Sequence, residues 1–163
     1  MPDIKMLGVM ASSEPDSKVL FRIPEDDGSA QVETLWATAL GQDKYRIENS
    51  PFFAYSVSWL DVVYAPEDEV EGFPTFTRVV EKSGHRTIRV IFDPPVESGN
   101  ESEVVLNKLT DLGCTFESAN PAYVAVDVPP GGKFDETCRC LIESGVQWEH
   151  ADPSYSELYP DDA

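Results

Sequence analysis

Basic side chains are scarce in this chain of 163 residues: 12 Lys and Arg stand against 30 Asp and Glu, for a net charge of −18. A surface of that sign repels nucleic-acid phosphates and anionic lipid and attracts cationic partners, so neither nucleic acid nor membrane is an expected partner. Cysteine is scarce too. Cys114, Cys138 and Cys140 lack the paired C-x2–4-C spacing of a structural zinc site and make no disulfide framework. No apolar run approaches the ~20 residues of a membrane span, and no secretory signal opens the chain. A reducing cytoplasm is therefore the expected location. Sequence signatures of chemistry are missing as well. Pro129-Pro130-Gly131-Gly132 lacks the Lys and Ser/Thr of a phosphate loop, and no G-x-G-x-x-G, G-x-S-x-G or H-E-x-x-H occurs. The expectation is a non-enzymatic protein without cofactor or metal.

What the chain does have is aromatic residues, concentrated between Val32 and Ala65, where Trp36, Trp59, Tyr45, Tyr55, Tyr64, Phe52 and Phe53 fall together. Aromatic side chains bury the most apolar area per residue, so the first core is expected there. Lys18 to Pro24, Val32 to Leu40, Lys44 to Glu48, Val62 to Ala65, Phe73 to Val80 and Arg86 to Asp93 read as short strands separated by turn signals. Gly41-Gln42-Asp43 reads as a tight turn, and Ser83-Gly84 as the turn of a hairpin. About six strands before any helix point to a small β-barrel or bent antiparallel sheet. Its expected core is Phe21, Leu35, Ile47, Phe53, Val63 and Val79.

From Ile88 the pattern changes. A helix is expected from about Ser102 to Leu112, with Ser98, Asn100 and Ser102 as candidate N-caps and Gly113 as its stop. A second helix carries Phe134, Cys138, Leu141 and Ile142 at i, i+4, i+7 and i+8, and ends at Gly145. With strands near Cys114, Tyr123 and Val146 the order is β-α-β-β-α-β, that of a ferredoxin-like sandwich. The fold class is α+β. The expected organisation is a loose N-terminal tail at 1–17, a β-rich lobe at 18–87, a ferredoxin-like lobe at 88–152 and an acidic tail at 153–163. Arg86 to Phe92 is expected to close the first lobe and open the second.

The run Val32-Glu33-Thr34-Leu35-Trp36-Ala37, the run Tyr45 to Tyr55, Asp61-Val62-Val63 and the run Val79 to Val90 carry a family resemblance. In the second half, Leu109 to Cys114 and Val126 to Pro130 also fit. On these residues the chain resembles a family of uncharacterised bacterial proteins catalogued as a domain of unknown function. That resemblance implies no activity.

Function is then read from charge. Residues 1–92 carry a net of −6 and residues 93–163 a net of −12. The leading reading is an acidic module that masks a basic protein partner, such as an immunity protein or antitoxin bound to a cationic toxin. An anionic face steers such a partner at rates up to ~10⁸–10⁹ M⁻¹s⁻¹. Its expected carriers are Glu101, Glu103, Asp111, Glu117, Asp135, Glu136, Glu143, Glu149 and Asp152, with Tyr123 and Trp148 as aromatic anchors. The alternative is a regulatory or ligand-sensing module using the one basic island, Arg78, Lys82, His85, Arg86 and Arg89, as an anion site. Against it stands internal pairing of these cations with the surplus carboxylates. Purified protein is expected to contain no stoichiometric zinc. Elemental analysis finding one zinc per chain, lost in Cys138→Ser, would contradict that.

Overall fold

Strict alternation organises the first sheet. In the computed structural model, which describes residues 14–162, β1 (Ser17–Pro24), β2 (Ala30–Gly41), β3 (Lys44–Ile47), β4 (Val62–Tyr64) and β5 (Arg78–Glu81) form an antiparallel meander in chain order. Period-two side-chain direction puts Glu33, Leu35 and Ala37 of β2 on the buried face. Leu35 and Ala37 join Val19, Phe21, Ile47, Ala54, Val57, Val63 and Ala65 in one cluster. The β2–β3 turn runs through Gln42 and Asp43, both at positive φ (59° and 61°), the backbone of a two-residue hairpin turn.

The sheet bends but does not close. The run expected as a strand from Phe73 is arrested by Pro74, which has no N–H to donate. Instead the Leu20 N–H donates to the Pro74 carbonyl and the Phe76 N–H to the Leu20 carbonyl, both at 2.8 Å. Phe76 thereby stacks on Phe21 inside the bend, ring centres 4.7 Å apart.

The second sheet has the order β7-β8-β6-β9, all pairs antiparallel, built from β6 (Arg86–Ile91), β7 (Thr115–Asn120), β8 (Tyr123–Val128) and β9 (Gln147–Asp152). Helices α1 (Glu101–Asp111) and α2 (Phe134–Ser144) pack on one of its faces, and a short α3 (Tyr155–Leu158) follows β9. Asn100 caps α1 by accepting the Glu103 N–H at 2.9 Å, while Glu103 reaches back to the Gly99 N–H at 2.7 Å. Gly113 (φ 98°) and Gly145 (φ 71°) supply the left-handed stops. The whole is an α+β fold of antiparallel sheets with three α-helices and no closed barrel among the described residues.

Four expectations are corrected. There is no β5–β6 hairpin: β5 pairs with β4 alone, β6 pairs as a strand only with β8 and β9, and the junction of the lobes lies at 82–85. The reason is burial on both sides of β6, since Ile88 and Val90 face the helices while Thr87 and Arg89 face the first lobe. Second, Phe53 is 40% exposed and Trp36 46%. The aromatic-rich stretch supplies surface and inter-lobe contacts more than core, whereas Phe21, Leu35, Ile47 and Val63 are buried as expected and Val79 packs against them. Third, Ile142 is 65% exposed although it lies on the apolar stripe of α2. Fourth, the segment expected as an acidic tail at 153–163 is helical at its start, where Ser154 caps α3 in a reciprocal box with Glu157. Of the expected N-terminal tail, residues 1–13 lie outside the described residues, and Ser17 already belongs to β1.

Leu35 and Trp36 make a direct test of the alternation. Leu35→Ala should cost about 2–5 kcal/mol in denaturant melts, and Trp36→Ala markedly less. Equal losses would mean the faces are assigned wrongly.

Candidate protein-binding site

The second sheet's other face is covered by the first lobe's segment between β3 and β4, residues 48–61, and two opposite charges hold that segment. Glu33 projects from β2 on the core side, where its carboxylate accepts the Phe52 N–H at 2.6 Å, the Phe53 N–H at 3.1 Å and the Ala54 N–H at 2.9 Å. From the opposite side Arg89, 1% exposed, donates to the carbonyls of Ala54 (2.8 Å), Pro51 and Phe53 (both 3.3 Å) and to Glu149 at 3.0 Å. Further along, Ser58 Oγ lies 2.7 Å from Thr87 Oγ1 and 2.5 Å from Asp152. Lys82 closes this end, its Nζ 2.6 Å from Asp61 and 2.5 Å from Asp152. Burial opposes the charge on Lys82, but hydrogen bonds to Asp152 and Asp61 raise its pKa. Burial also raises the pKa of Asp152, against hydrogen bonds from Lys82 and Ser58. The two shifts pull the shared proton in opposite directions. Lys82 thereby bridges Asp61 of the first lobe and Asp152 of the second.

The basic island expected around His85 is therefore dispersed over separate partners. Arg78 lies over the Tyr64 ring at 4.6 Å, and Arg86 over Phe134 at 4.5 Å. Lys82 and Arg89 serve the inter-lobe contacts, and His85 Nδ1 sits 2.8 Å from Asp127 with its ring edge-on to Trp59. No common point receives these five side chains.

The carboxylates expected on a docking face divide in two. Glu117 accepts from the Ser50 N–H (2.7 Å) and Asn49 Nδ2 (3.2 Å), Glu149 from Arg89 and from Tyr55 Oη (2.7 Å), and Asp152 is buried against Lys82. Tyr123 donates to the Phe52 carbonyl and packs on Phe53. These four residues bind the lobes together, and that correction follows from Glu117, Tyr123 and Glu149 lying on the sheet face opposite the helices. Glu103 is half-committed to the α1 cap, whereas Glu101, Asp111, Asp135, Glu136 and Glu143 are exposed on the helices.

Beside Asp135 opens a groove of about 1110 Å³ between α2, the end of β9 and the C-terminal segment. Phe134, Cys138 and Ile142, one stripe of α2, form one wall, and Trp148, His150, Tyr155 and Tyr159 the other; Arg139 and the carboxylates of Asp135, Glu149 and Asp162 also line it. His150 contacts four of the larger rings: Trp148 at 4.8 Å, Phe134 at 5.8 Å, Tyr155 at 6.4 Å and Tyr159 at 6.3 Å between centres. Its Nδ1 is buried and has no hydrogen-bond partner among the described residues. The sequence reading singled out Trp148 and the α2 stripe but missed Tyr155 and Tyr159, whose i, i+4 spacing behind the Ser154 cap is the signal that places them on one helical side. The thiols belong to packing: Cys114 is buried, and burial pushes Cys138 up to about 11. Among the described residues no group of three or more His, Cys, Asp and Glu is placed to hold a metal ion, and no helix is long and apolar enough to cross a membrane.

The strand register puts Lys18, Arg22, Lys44, Arg46 and Arg78 on the outer face of the first sheet, with Trp36 and Tyr64 between them. Arg22 is paired there with Asp68 and Glu71, and Arg46 with Glu48.

A two-lobed α+β protein with an acid-rimmed aromatic groove on its second lobe is the class these observations define. The chain belongs to the family described as a domain of unknown function (DUF4265), whose model matches residues 33–150. A hypothetical protein from Neisseria gonorrhoeae shares the fold, with a TM-score of 0.73 at 15% identity over 89% of this chain and 100% of that one. Comparison with curated proteins finds no match.

Two outcomes follow from this geometry. Arg89→Met removes the donor to three carbonyls and leaves Glu149 without its guanidinium. A loss of at least about 1–3 kcal/mol is expected in chemical denaturation, as for leaving a buried carbonyl without its donor. A change under 1 kcal/mol would show that the segment is held elsewhere. The second concerns pH. Burial holds the His150 pKa below its ordinary 6.5, so as pH falls the unfolded chain takes up this proton first. Stability from the neutral imidazole is complete above about 6.5 and is lost as pH falls toward the lower folded value. His150→Phe should therefore flatten the fall in melting temperature between about pH 7 and 5. An unchanged slope would contradict the assignment.

Proposed function

We propose that this protein is a non-enzymatic binding module that captures a basic protein through the second lobe, with neutralisation of a cationic toxin as its specific form. The observation that carries the reading is the groove at α2 and β9, where exposed apolar and aromatic side chains lie beside carboxylates in the more acidic half of the chain. Protein recognition sites combine aromatic anchors with a charged rim, and the rim sets orientation and encounter rate. The order β7-β8-β6-β9 with helices on one face supports reading that lobe as a ferredoxin-like sandwich. The dispersal of Arg78, Lys82, His85, Arg86 and Arg89 leaves the small-anion reading without a supporting observation.

The test is affinity capture from the native host with mass spectrometry, followed by association rates against ionic strength. A basic protein should be retained by the wild type and lost by Asp135→Lys/Glu136→Lys/Glu143→Lys, with thermal melts showing both folded. Its association should slow as salt rises and the Debye length shrinks from ~10 Å at 0.1 M to ~3 Å at 1 M. Unchanged, salt-insensitive capture by the charge-reversed protein would overturn the reading.

A further inference from the structure

Aromatic walls with carboxylates at the rim recognise one chemical class in particular. The negative face of a π-system attracts an alkylammonium group, and several rings around one position add their attraction while shielding it from water. The groove holds such rings in contact. Tyr155 and Tyr159 lie 4.9 Å apart, each reaches His150, and His150 meets Trp148 edge-on. Tyr155 and Tyr159 are 51% and 47% exposed, so their faces remain accessible. Tyr155 is also oriented from below, its hydroxyl donating to Asp162 at 3.1 Å.

Two other rings of the groove lining already carry cations from the chain itself. The guanidinium of Arg86 lies 4.5 Å from the centre of Phe134, and that of Arg89 lies 4.6 Å from the centre of Tyr55. Both rings line the same groove. Among the described residues, no cation lies over Trp148, Tyr155 or Tyr159. Of the carboxylates that line the groove, Glu149 is paired with Arg89, and Asp135 and Asp162 lie with Arg139 in the same lining.

We infer that Trp148, His150, Tyr155 and Tyr159 form an aromatic cage for an alkylammonium group, a lysine side chain in free or methylated form, presented by the partner. The inference rests on the reading of the second lobe as the docking face for a basic protein, and it names the group that is bound there. His150 suits the floor of such a cage because a neutral imidazole adds a ring without adding a competing charge.

The test uses the full chain and a small probe, Nα-acetyl-trimethyllysine methylamide, beside its uncharged isostere with a tert-butyl carbon in place of the nitrogen. The indole N–H resonance of Trp148, assigned by its disappearance in Trp148→Phe, reports binding. The charged probe should shift it saturably, with an affinity at least tenfold above that of the isostere. Tyr159→Phe should keep this preference and Tyr159→Ala should lose it, with both variants melting like the wild type. Equal affinities for the two probes, or no shift with either, overturn the cage. If the probe fails while a basic protein is still captured in a salt-sensitive manner, the cage falls and the docking reading stands. Selective binding of the charged probe without any protein capture supports the cage and removes the protein partner.

Discussion

Three backbone N–H groups and three carbonyls of one short segment, residues 51–54, are gripped by a carboxylate from one lobe and a guanidinium from the other. Glu33 takes the N–H groups and Arg89 the carbonyls. A loop lying between two sheets has no strand ladder to satisfy its polar groups, and each one left unpaired costs roughly 1–3 kcal/mol. The two charges solve that problem together, and the segment satisfies their desolvated atoms in turn. The inter-lobe contacts at Glu117, Tyr123, Glu149 and Asp152 extend from this point along the same sheet face.

This arrangement explains how the acidic charge is divided. Carboxylates directed at the first lobe are consumed by backbone N–H groups, Lys82 and Arg89. Those on the helices stay in solvent. The groove lies where the two populations meet: Glu149 is shared between Arg89, Tyr55 and the groove wall, while Asp135 stands free at its edge. The groove and the internal contact are therefore neighbours at Glu149 of β9.

Much of the fold was legible in local pattern. The alternation through β2, the turn at Gln42 and Asp43, the Asn100 cap and the Gly113 and Gly145 stops each depend on residues adjacent in sequence, and each is found where expected. The β5–β6 hairpin was not legible, because a turn signal such as Ser83-Gly84 specifies a change of direction and says nothing of which sheet receives the next strand. The run Thr87 to Val90, buried on both faces, was the available sign of a central strand. Long-range polar pairing was equally hidden. Glu33 lies in phase with Leu35 and Ala37, and that misplaced charge was its only trace; for Glu117, Glu149 and Asp152 an exposed carboxylate and a buried one read alike. Ile142 shows the converse: it belongs to the apolar stripe that signals the helix, and its 65% exposure marks the groove.

The most direct measurement is a backbone amide NMR titration of the isotope-labelled chain with a short lysine- and arginine-rich peptide at low salt. The expected result is a set of shifts confined to α2, β9 and α3, centred on Trp148, Tyr155 and Tyr159, that disappears as salt is raised. Shifts spread in proportion to negative charge, with the acidic loop at 66–72 responding as strongly as the groove, would contradict a built docking site and leave only a diffuse acidic surface.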